Sequence, residues 1–139
     1  MSDKDFITSY LNDFSSLISP NDEITEKIIN IKNILLETKK NNSKVMIFGN
    51  GGSAAIASHV SIDLTKNAKI RAMNYNEADL ITCFSNDYGY DRWVEKTIDF
   101  YAESKDALIL ISSSGKSLNM INACSAAKKK KITNVITLT

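Results

Sequence analysis

The sequence has 139 residues, of which 43% are hydrophobic and 24% are charged, so it suits one globular domain with one hydrophobic core. A formal net charge of +1 gives no support to nucleic-acid binding, and no apolar run is long enough to cross a membrane. The charged N-terminus is not followed by the apolar stretch of a signal peptide. With two widely spaced cysteines, Cys83 and Cys124, these features predict a cytoplasmic protein with reduced, buried thiols.

Residues 1–42 are predicted to form two amphipathic helices. The apolar residues with helical spacing are Ile7, Leu11, Phe14 and Ile18 in the first helix, and Ile24, Ile28, Ile31 and Leu35 in the second. Ser19 is expected to cap the second helix, Pro20 to occupy its first position, and Asp22 to stand where the acid of a capping box lies. Two alternatives stay open: these stripes face the core of this chain, or they form an interface with another subunit.

Strands and helices alternate over residues 43–139, which predicts a parallel sheet with helices on both faces. Strands are predicted at 44–48, 68–74, 106–111 and 134–138, and helices at 54–66, 77–86, 91–102 and 117–131. In the last helix, Leu118, Ile121 and Cys124 are expected to face inward. Because the sequence stops on a strand, we expect a single domain over 1–139 that lacks its C-terminal helix and is truncated.

Two loops rich in glycine and serine, Gly49 to Ser53 and Ser112 to Ser117, follow the first and third predicted strands. Ligands of open parallel sheets bind beyond the carboxyl ends of the strands. A loop that leads into a helix also presents free backbone N–H groups, which bind anions. The two loops therefore predict a phosphate site, with simple tight turns as the structural alternative.

Neither loop fits a nucleotide-binding motif well. The first fits the loose dinucleotide fingerprint G-x-G-x-x-A, but Asn74 and Asn76 stand where an acid should bind the ribose. The second ends in Gly115-Lys116-Ser117, as a Walker A motif does, but Leu110 replaces the required first glycine. No nucleotide cofactor is therefore expected.

Taken together and in order, the motifs resemble those of sugar isomerase (SIS) domains, and within them most closely the phosphoheptose isomerases. The matching segments are Phe48-Gly49-Asn50-Gly51-Gly52-Ser53, His59 with an acid four residues later, Ser85-Asn86-Asp87-Tyr88-Gly89-Tyr90, and Ile111 to Ser117. The resemblance implies a three-layer, flavodoxin-like fold and a homotetramer or dimer that associates through the N-terminal helices, with active sites between subunits. It also implies isomerisation of sedoheptulose 7-phosphate to D-glycero-D-manno-heptose 7-phosphate, for a bacterial surface polysaccharide.

The same resemblance implies the site residues. Those expected to contact the sugar phosphate are Asn50, Gly51, Gly52, Ser53, Asn86, Asp87, Ser112, Ser113, Ser114 and Ser117. His59 and Asp63 are expected to bind zinc, and Asp63 also to act as the catalytic base. Their spacing of four residues places them on one helix face, and both types of side chain can bind zinc.

Three departures from the family pattern leave a second hypothesis open. The family's acid is glutamate, whereas this chain has Asp63, and a carboxylate withdrawn by about 1 Å can cost roughly 100-fold in rate. Ala54 and Ile56 stand where polar residues are typical, and the glutamine and second histidine that complete the family's zinc site are absent. The alternative is a non-catalytic SIS module that binds a sugar phosphate or a protein partner, as the DnaA-associating member does.

Overall fold

The computed structural model describes all of residues 1–139 and contains six helices and four strands. The helices are α1 (Asp3–Leu17), α2 (Asp22–Lys40), α3 (Gly52–Lys66), α4 (Ala78–Tyr88), α5 (Trp93–Tyr101) and α6 (Leu118–Lys129). The strands are β1 (Val45–Gly49), β2 (Ala72–Asn74), β3 (Ala107–Ile111) and β4 (Asn134–Leu138). All strand pairs are parallel and the order is β2-β1-β3-β4, which confirms the predicted flavodoxin-like α/β fold.

The chain divides into two compact units, residues Met1–Ile31 and Lys32–Thr139. In the first unit, α1 begins with a capping box between Ser2 and Asp5. The predicted cap of α2 was wrong: the Asn21 side-chain oxygen accepts from the backbone N–H of Ile24 at 2.8 Å, whereas the Ser19 hydroxyl donates to the carbonyl of Ser15. Asn21 directly precedes the helix and has a better N-cap side chain than most residues, so it displaces Ser19.

None of residues 1–30 is buried, and the apolar side chains of α1 are more than half exposed. These side chains are Phe6, Ile7, Tyr10, Leu11, Phe14 and Leu17, and that of the C-cap residue Ile18 is exposed to the same extent. The apolar stripe of α1 is therefore not covered within the first unit, and the two alternatives for it stay predictions.

The second unit has its core on the two faces of the sheet. Alternate strand residues point to opposite faces, and Met46, Phe48, Leu108 and Leu110 form one face that packs with α5 and α6. Helix α3 contacts β1, β2 and β3, and its buried Ala57 lies outside that cluster, which places α3 on the opposite face. The result is three layers, as predicted.

Strand β2 is shorter than the predicted 68–74. After α3 ends, the backbone N–H of Ala68 still bonds to the carbonyl of Asp63, and Lys69 adopts a positive φ of 57°. The N–H of Ile70 then bonds to the carbonyl of Leu64. These contacts hold residues 68–70 against the end of the helix, so pairing with β1 begins only at Ala72.

The inward face predicted for α6 was wrong for Leu118 and Ile121, whereas Cys124 packs against the core as predicted. Leu118 is 63% exposed, Ile121 is 46% exposed and Cys124 is only partly buried. The residues that α6 buries are Asn119, Met120, Ala123, Ala126 and Ala127. The small side chains of the alanines allow α6 to approach its neighbours closely. This face is therefore buried, although the side chains of Leu118 and Ile121 on the exposed face are larger and more apolar. Cys83 was also predicted to be buried, but it is exposed.

None of the helices combines the length and the apolar character of a membrane span.

Candidate functional site

The two predicted phosphate loops emerge side by side from the sheet. Gly49, the last residue of β1, is the register partner of Ile111, the last residue of β3. Because the strands are parallel and adjacent, the loop that begins at Asn50 and the loop that begins at Ser112 lie at the same edge of the sheet. The sequence prediction that they face one ligand is therefore consistent with their placement.

The backbone of the glycine loop requires glycine at two positions. A Cβ on Gly49 would lie 2.4 Å from the backbone carbon and oxygen of Ser53, so only glycine allows the loop to fold back this closely. Gly51 has a positive φ of 53° and is the N-cap residue of α3. No side chain caps this helix, so the N–H groups of its first turn have no side-chain acceptor.

The serine loop is arranged in the same way at the start of α6. Gly115 has a φ of 61°, and its N–H bonds to the carbonyl of Ser112 at 3.0 Å. The hydroxyls of Ser112 and Ser117 are 3.3 Å apart, and Ser117 is the N-cap residue of α6 without a capping side-chain bond. Ser112 is buried, whereas Ser113 and Ser114 are exposed. Hydroxyls and N–H groups of this kind are suitable donors for a phosphate.

A pair of asparagine side chains joins the two loops. The Asn50 amide nitrogen donates to Oδ1 of Asn119 at 3.0 Å, and the Asn119 amide nitrogen donates to Oδ1 of Asn50 at 2.8 Å. The Tyr90 hydroxyl also lies 3.2 Å from Oδ1 of Asn50 and donates to it. Asn119 is 2% exposed. Neither Asn119 nor Tyr90 was predicted as a site residue. The available signal for Asn119 was an asparagine two residues after a serine predicted to bind phosphate.

Asn76 supports the glycine loop from the other side. Its amide nitrogen donates to the carbonyl of Gly49 at 2.9 Å. Its own Oδ1 is buried and has no hydrogen-bond partner. From the sequence, Asn76 served only as an argument against a dinucleotide site, so its hydrogen bond to the carbonyl of Gly49 was not predicted.

Asn86 and Asp87 lie in the last turn of α4, and both are exposed. The Asn86 amide nitrogen donates to Oδ1 of Asp87 at 2.9 Å, and the Cys83 thiol lies 3.8 Å from Oδ2 of Asp87. No hydrogen bond joins either residue to the two loops. Their contact with a sugar stays a prediction.

His59 and Asp63 lie on one face of α3, with 3.3 Å between His59 Nε2 and Asp63 Oδ2. Their side chains are 79% and 51% exposed, and the amide of Asn67 donates to the other oxygen of Asp63 at 3.2 Å. The chain contains no group of three His, Cys, Asp or Glu residues that could hold a metal ion. Catalytic zinc ordinarily takes three protein ligands, so His59 and Asp63 would supply two of the ligands that such a site needs.

The chain is similar to known proteins over nearly its whole length. A family model described as the SIS domain matches residues 9–139. The phosphoheptose isomerase of Aliarcobacter butzleri is 40% identical over 101 residues, which cover 68% of this chain and 53% of the relative. That of Buchnera aphidicola subsp. Acyrthosiphon pisum is 35% identical over 144 aligned positions, which cover 98% of this chain and 74% of the relative. The chain thus spans between about half and three quarters of these relatives' length.

Two solved structures have the same fold. A phosphoheptose isomerase from Francisella tularensis matches the whole chain with a TM-score of 0.89 and 27% sequence identity, and the match covers 75% of that protein. The phosphoheptose isomerase of Neisseria gonorrhoeae matches 98% of the chain with a TM-score of 0.79 at 24% identity. The second likeness bears on the fold alone.

Proposed function

The chain belongs to the SIS domain family, and within it to the phosphoheptose isomerases, and on this premise we propose that it is a sugar-phosphate isomerase. The proposed reaction converts sedoheptulose 7-phosphate to D-glycero-D-manno-heptose 7-phosphate, as a step towards a bacterial surface polysaccharide. One observation carries the proposal. The glycine and serine loops leave the sheet at the register-paired residues Gly49 and Ile111, and the Asn50–Asn119 pair joins them.

The serine loop is the proposed phosphate site. Its hydroxyls come from Ser112, Ser113, Ser114 and Ser117. The N-terminus of α6 adds free N–H groups and the positive end of the helix dipole. The start of α3 adds its own dipole and the N–H of Gly52, because the N–H groups of Ser53 and Ala54 bond to the carbonyls of Asn50 and Gly51. A dianionic phosphate would therefore meet donors from two helices, while Asn50, Gly51, Gly52 and Ser53 border the sugar.

The chemistry requires a base that moves a proton between two adjacent carbons. In the ketose-to-aldose direction the base removes a proton from C1, which gives an enediol, and the proton returns at C2 while the hydroxyl proton passes from O1 to O2. We assign the base to the Asp63 carboxylate, with His59 beside it as the group that polarises the sugar oxygens. Asn86 and Asp87 are the proposed contacts for the sugar hydroxyls.

The position of Asp63 along α3 suggests that the site is shared between copies of the chain. Asp63 follows Gly52 by eleven residues, which is about 16 Å along an α-helix. This distance exceeds the extended length of a seven-carbon sugar phosphate. We therefore propose that Asp63 of one copy acts on a substrate held by the loops of another.

The N-terminal helix provides the proposed surface for that association. The six apolar side chains of α1 and that of its C-cap residue Ile18 are more than half exposed, and they lie on one side of the helix. An exposed apolar stripe of this kind is typical of a helix that packs on another subunit. We propose that copies of the chain associate through it into a dimer or tetramer.

Two further parts of the proposal concern zinc binding and the cellular location of the protein. His59 and Asp63 are the residues that we propose would contact zinc, and two ligands from one chain predict weak binding. Both cysteines are free thiols, which suits the cytoplasmic location that we propose.

The test is turnover of sedoheptulose 7-phosphate by the full chain, followed by NMR of the sugar product. The wild type should form the aldose phosphate, and Asp63→Asn should abolish turnover while Asp79→Asn, an exposed carboxylate at the start of α4, should not. Unchanged activity in Asp63→Asn would remove Asp63 from the mechanism. Stabilisation by the sugar phosphate without turnover in the wild type would favour the non-catalytic binding module instead.

A further inference from the structure

We propose that Asn119 is a positioning residue, which with Tyr90 fixes the Asn50 amide and so holds the glycine loop in the geometry that receives the sugar phosphate beside the serine loop. This inference rests on the proposed function, because it concerns the same site. It assigns a role to two residues that do not belong to either loop, and it changes the role expected of Asn50.

The hydrogen bonds of Asn50 leave little of its side chain for a ligand. A carbonyl oxygen has two lone pairs, and Oδ1 of Asn50 accepts from both the Asn119 amide and the Tyr90 hydroxyl, at 2.8 and 3.2 Å. The Asn50 amide nitrogen gives one of its two N–H groups to Asn119 at 3.0 Å. One N–H donor therefore remains, so the side chain can bind an oxygen acceptor of the ligand but cannot accept from a sugar hydroxyl.

Asn119 has the features of a fixed partner. It is 2% exposed, lies in the first turn of α6 two residues after Ser117, and directs both of its side-chain functions to Asn50. A buried amide without partners is costly, so Asn119 favours the one position of Asn50 that satisfies it. Because α6 begins in the serine loop, this bond ties the position of the glycine loop to that of the serine loop.

The contribution of Tyr90 to the position of Asn50 is smaller than that of Asn119, and it can be tested separately. The side chain of Tyr90 is exposed, and its hydroxyl makes a single hydrogen bond, to Asn50. The phenylalanine variant removes only that bond and leaves the ring in place. A hydrogen bond of ordinary net strength corresponds to roughly a two- to tenfold change in affinity.

The experiment is a double-mutant cycle on ligand affinity. Dissociation constants for inorganic phosphate and for sedoheptulose 7-phosphate are measured by titration calorimetry for wild type, Asn50→Ala, Asn119→Ala and the double variant, with the urea midpoint of each. Asn122→Ala is the matched control, since Asn122 lies on the same helix and donates to the carbonyl of Asp91 rather than to a residue of either loop. Tyr90→Phe provides a second measurement that does not depend on the folding of a core variant.

If Asn119 acts through Asn50, Asn119→Ala weakens both ligands at least about tenfold, and adding it to Asn50→Ala weakens them little further. Tyr90→Phe weakens them about two- to tenfold without changing the urea midpoint, and Asn122→Ala leaves both affinities unchanged. Affinities within twofold of wild type in Asn119→Ala and Tyr90→Phe would overturn the inference, as would losses that multiply in the double variant. A wild type that binds neither ligand would instead contradict the proposed function, and the inference with it.

Discussion

Lys44 and Asp106 form a buried ion pair immediately before β1 and β3, with 2.6 Å between Lys44 Nζ and Asp106 Oδ2. Asp106 is 1% exposed and also accepts from the backbone N–H groups of Lys44 and Glu103, at 3.0 and 2.8 Å. The pair therefore fixes the register of the two central strands at their amino ends, whereas the Asn50–Asn119 pair joins the loops at their carboxyl ends. The site depends on both ends of the same strand pair.

We expect Asp106→Asn to lower the free energy of unfolding by about 3 kcal/mol, because it leaves the Lys44 ammonium buried without a counter-charge. Urea unfolding followed by circular dichroism measures this. Asp99→Asn is the control, since the Lys96–Asp99 pair is more exposed and should contribute roughly 1 kcal/mol or less. Equal losses in the two variants would contradict the structural role of the Lys44–Asp106 pair.

Gly49→Ala should destabilise the protein, whereas Gly52→Ala should not. A Cβ at Gly49 meets the Ser53 backbone at 2.4 Å and forces a shift that costs about 1–3 kcal/mol, but a Cβ at Gly52 has no atom within 4 Å. Urea unfolding of both variants measures the difference. A Gly49→Ala variant as stable as Gly52→Ala would show that the loop can fold without the close approach.

The order of the elements and the location of both loops were predictable from the sequence, because they rest on local signals. Apolar runs of four and five residues that stop at glycine or serine identify β1 and β3, and the glycines that follow identify the turns. The inward face of α6 was not predictable in this way. Its buried residues are three alanines, a methionine and an asparagine, and their burial follows from the helices and strands that surround them rather than from apolar spacing.

The long-range parts of the site were also beyond sequence reasoning. The partners in the Asn50–Asn119 pair are 69 positions apart, and the Asn76 contact with Gly49 joins residues 27 positions apart. Both depend on sheet topology. The motifs identified Asn50 as a site residue. They could not identify the hydrogen-bond partners of its side chain, and these partners decide which of its donors and acceptors remain for a ligand.

Asp63→Glu should preserve or raise the rate of isomerisation. The extra methylene restores the reach of the glutamate expected from the family, and a gain of about 1 Å in the position of a catalytic group can change the rate by up to roughly 100-fold. The value of kcat for sedoheptulose 7-phosphate measures this. Because Asp63 is half exposed, the longer side chain of glutamate fits without repacking. A loss of kcat in Asp63→Glu as large as that in Asp63→Asn would indicate instead that the site is adapted to aspartate.

Leu11→Glu should disperse the assembly proposed to form through α1. Leu11 is 56% exposed within the stripe, and a charge there cannot be buried against another subunit without a large cost. Light scattering after size-exclusion chromatography gives the mass of each species. Asn12→Glu, which adds the same charge on the opposite side of α1, should leave the mass unchanged; a monomeric wild type would contradict the proposed interface.

Glu95 should make the stability depend on pH. Its pKa lies below the ordinary value of 4.5 because Arg92 donates two hydrogen bonds to it, at 3.0 and 3.2 Å, and because Arg92 and Lys129 add positive charge. A carboxylate with a lowered pKa stabilises the folded state fully above pH 4.5, and this contribution is lost as the pH falls through the lower value of the folded state.

Glu95→Gln should therefore have a lower urea midpoint than the wild type at pH 7, and the gap between the two should close as the pH is lowered below 4.5. Urea unfolding at a series of pH values measures both midpoints. Glu103→Gln is the control, because the Glu103 side chain is exposed and makes no ion pair, so its midpoint should follow that of the wild type at every pH. A gap between wild type and Glu95→Gln that stays constant with pH would mean that Glu95 contributes through packing rather than through its charge.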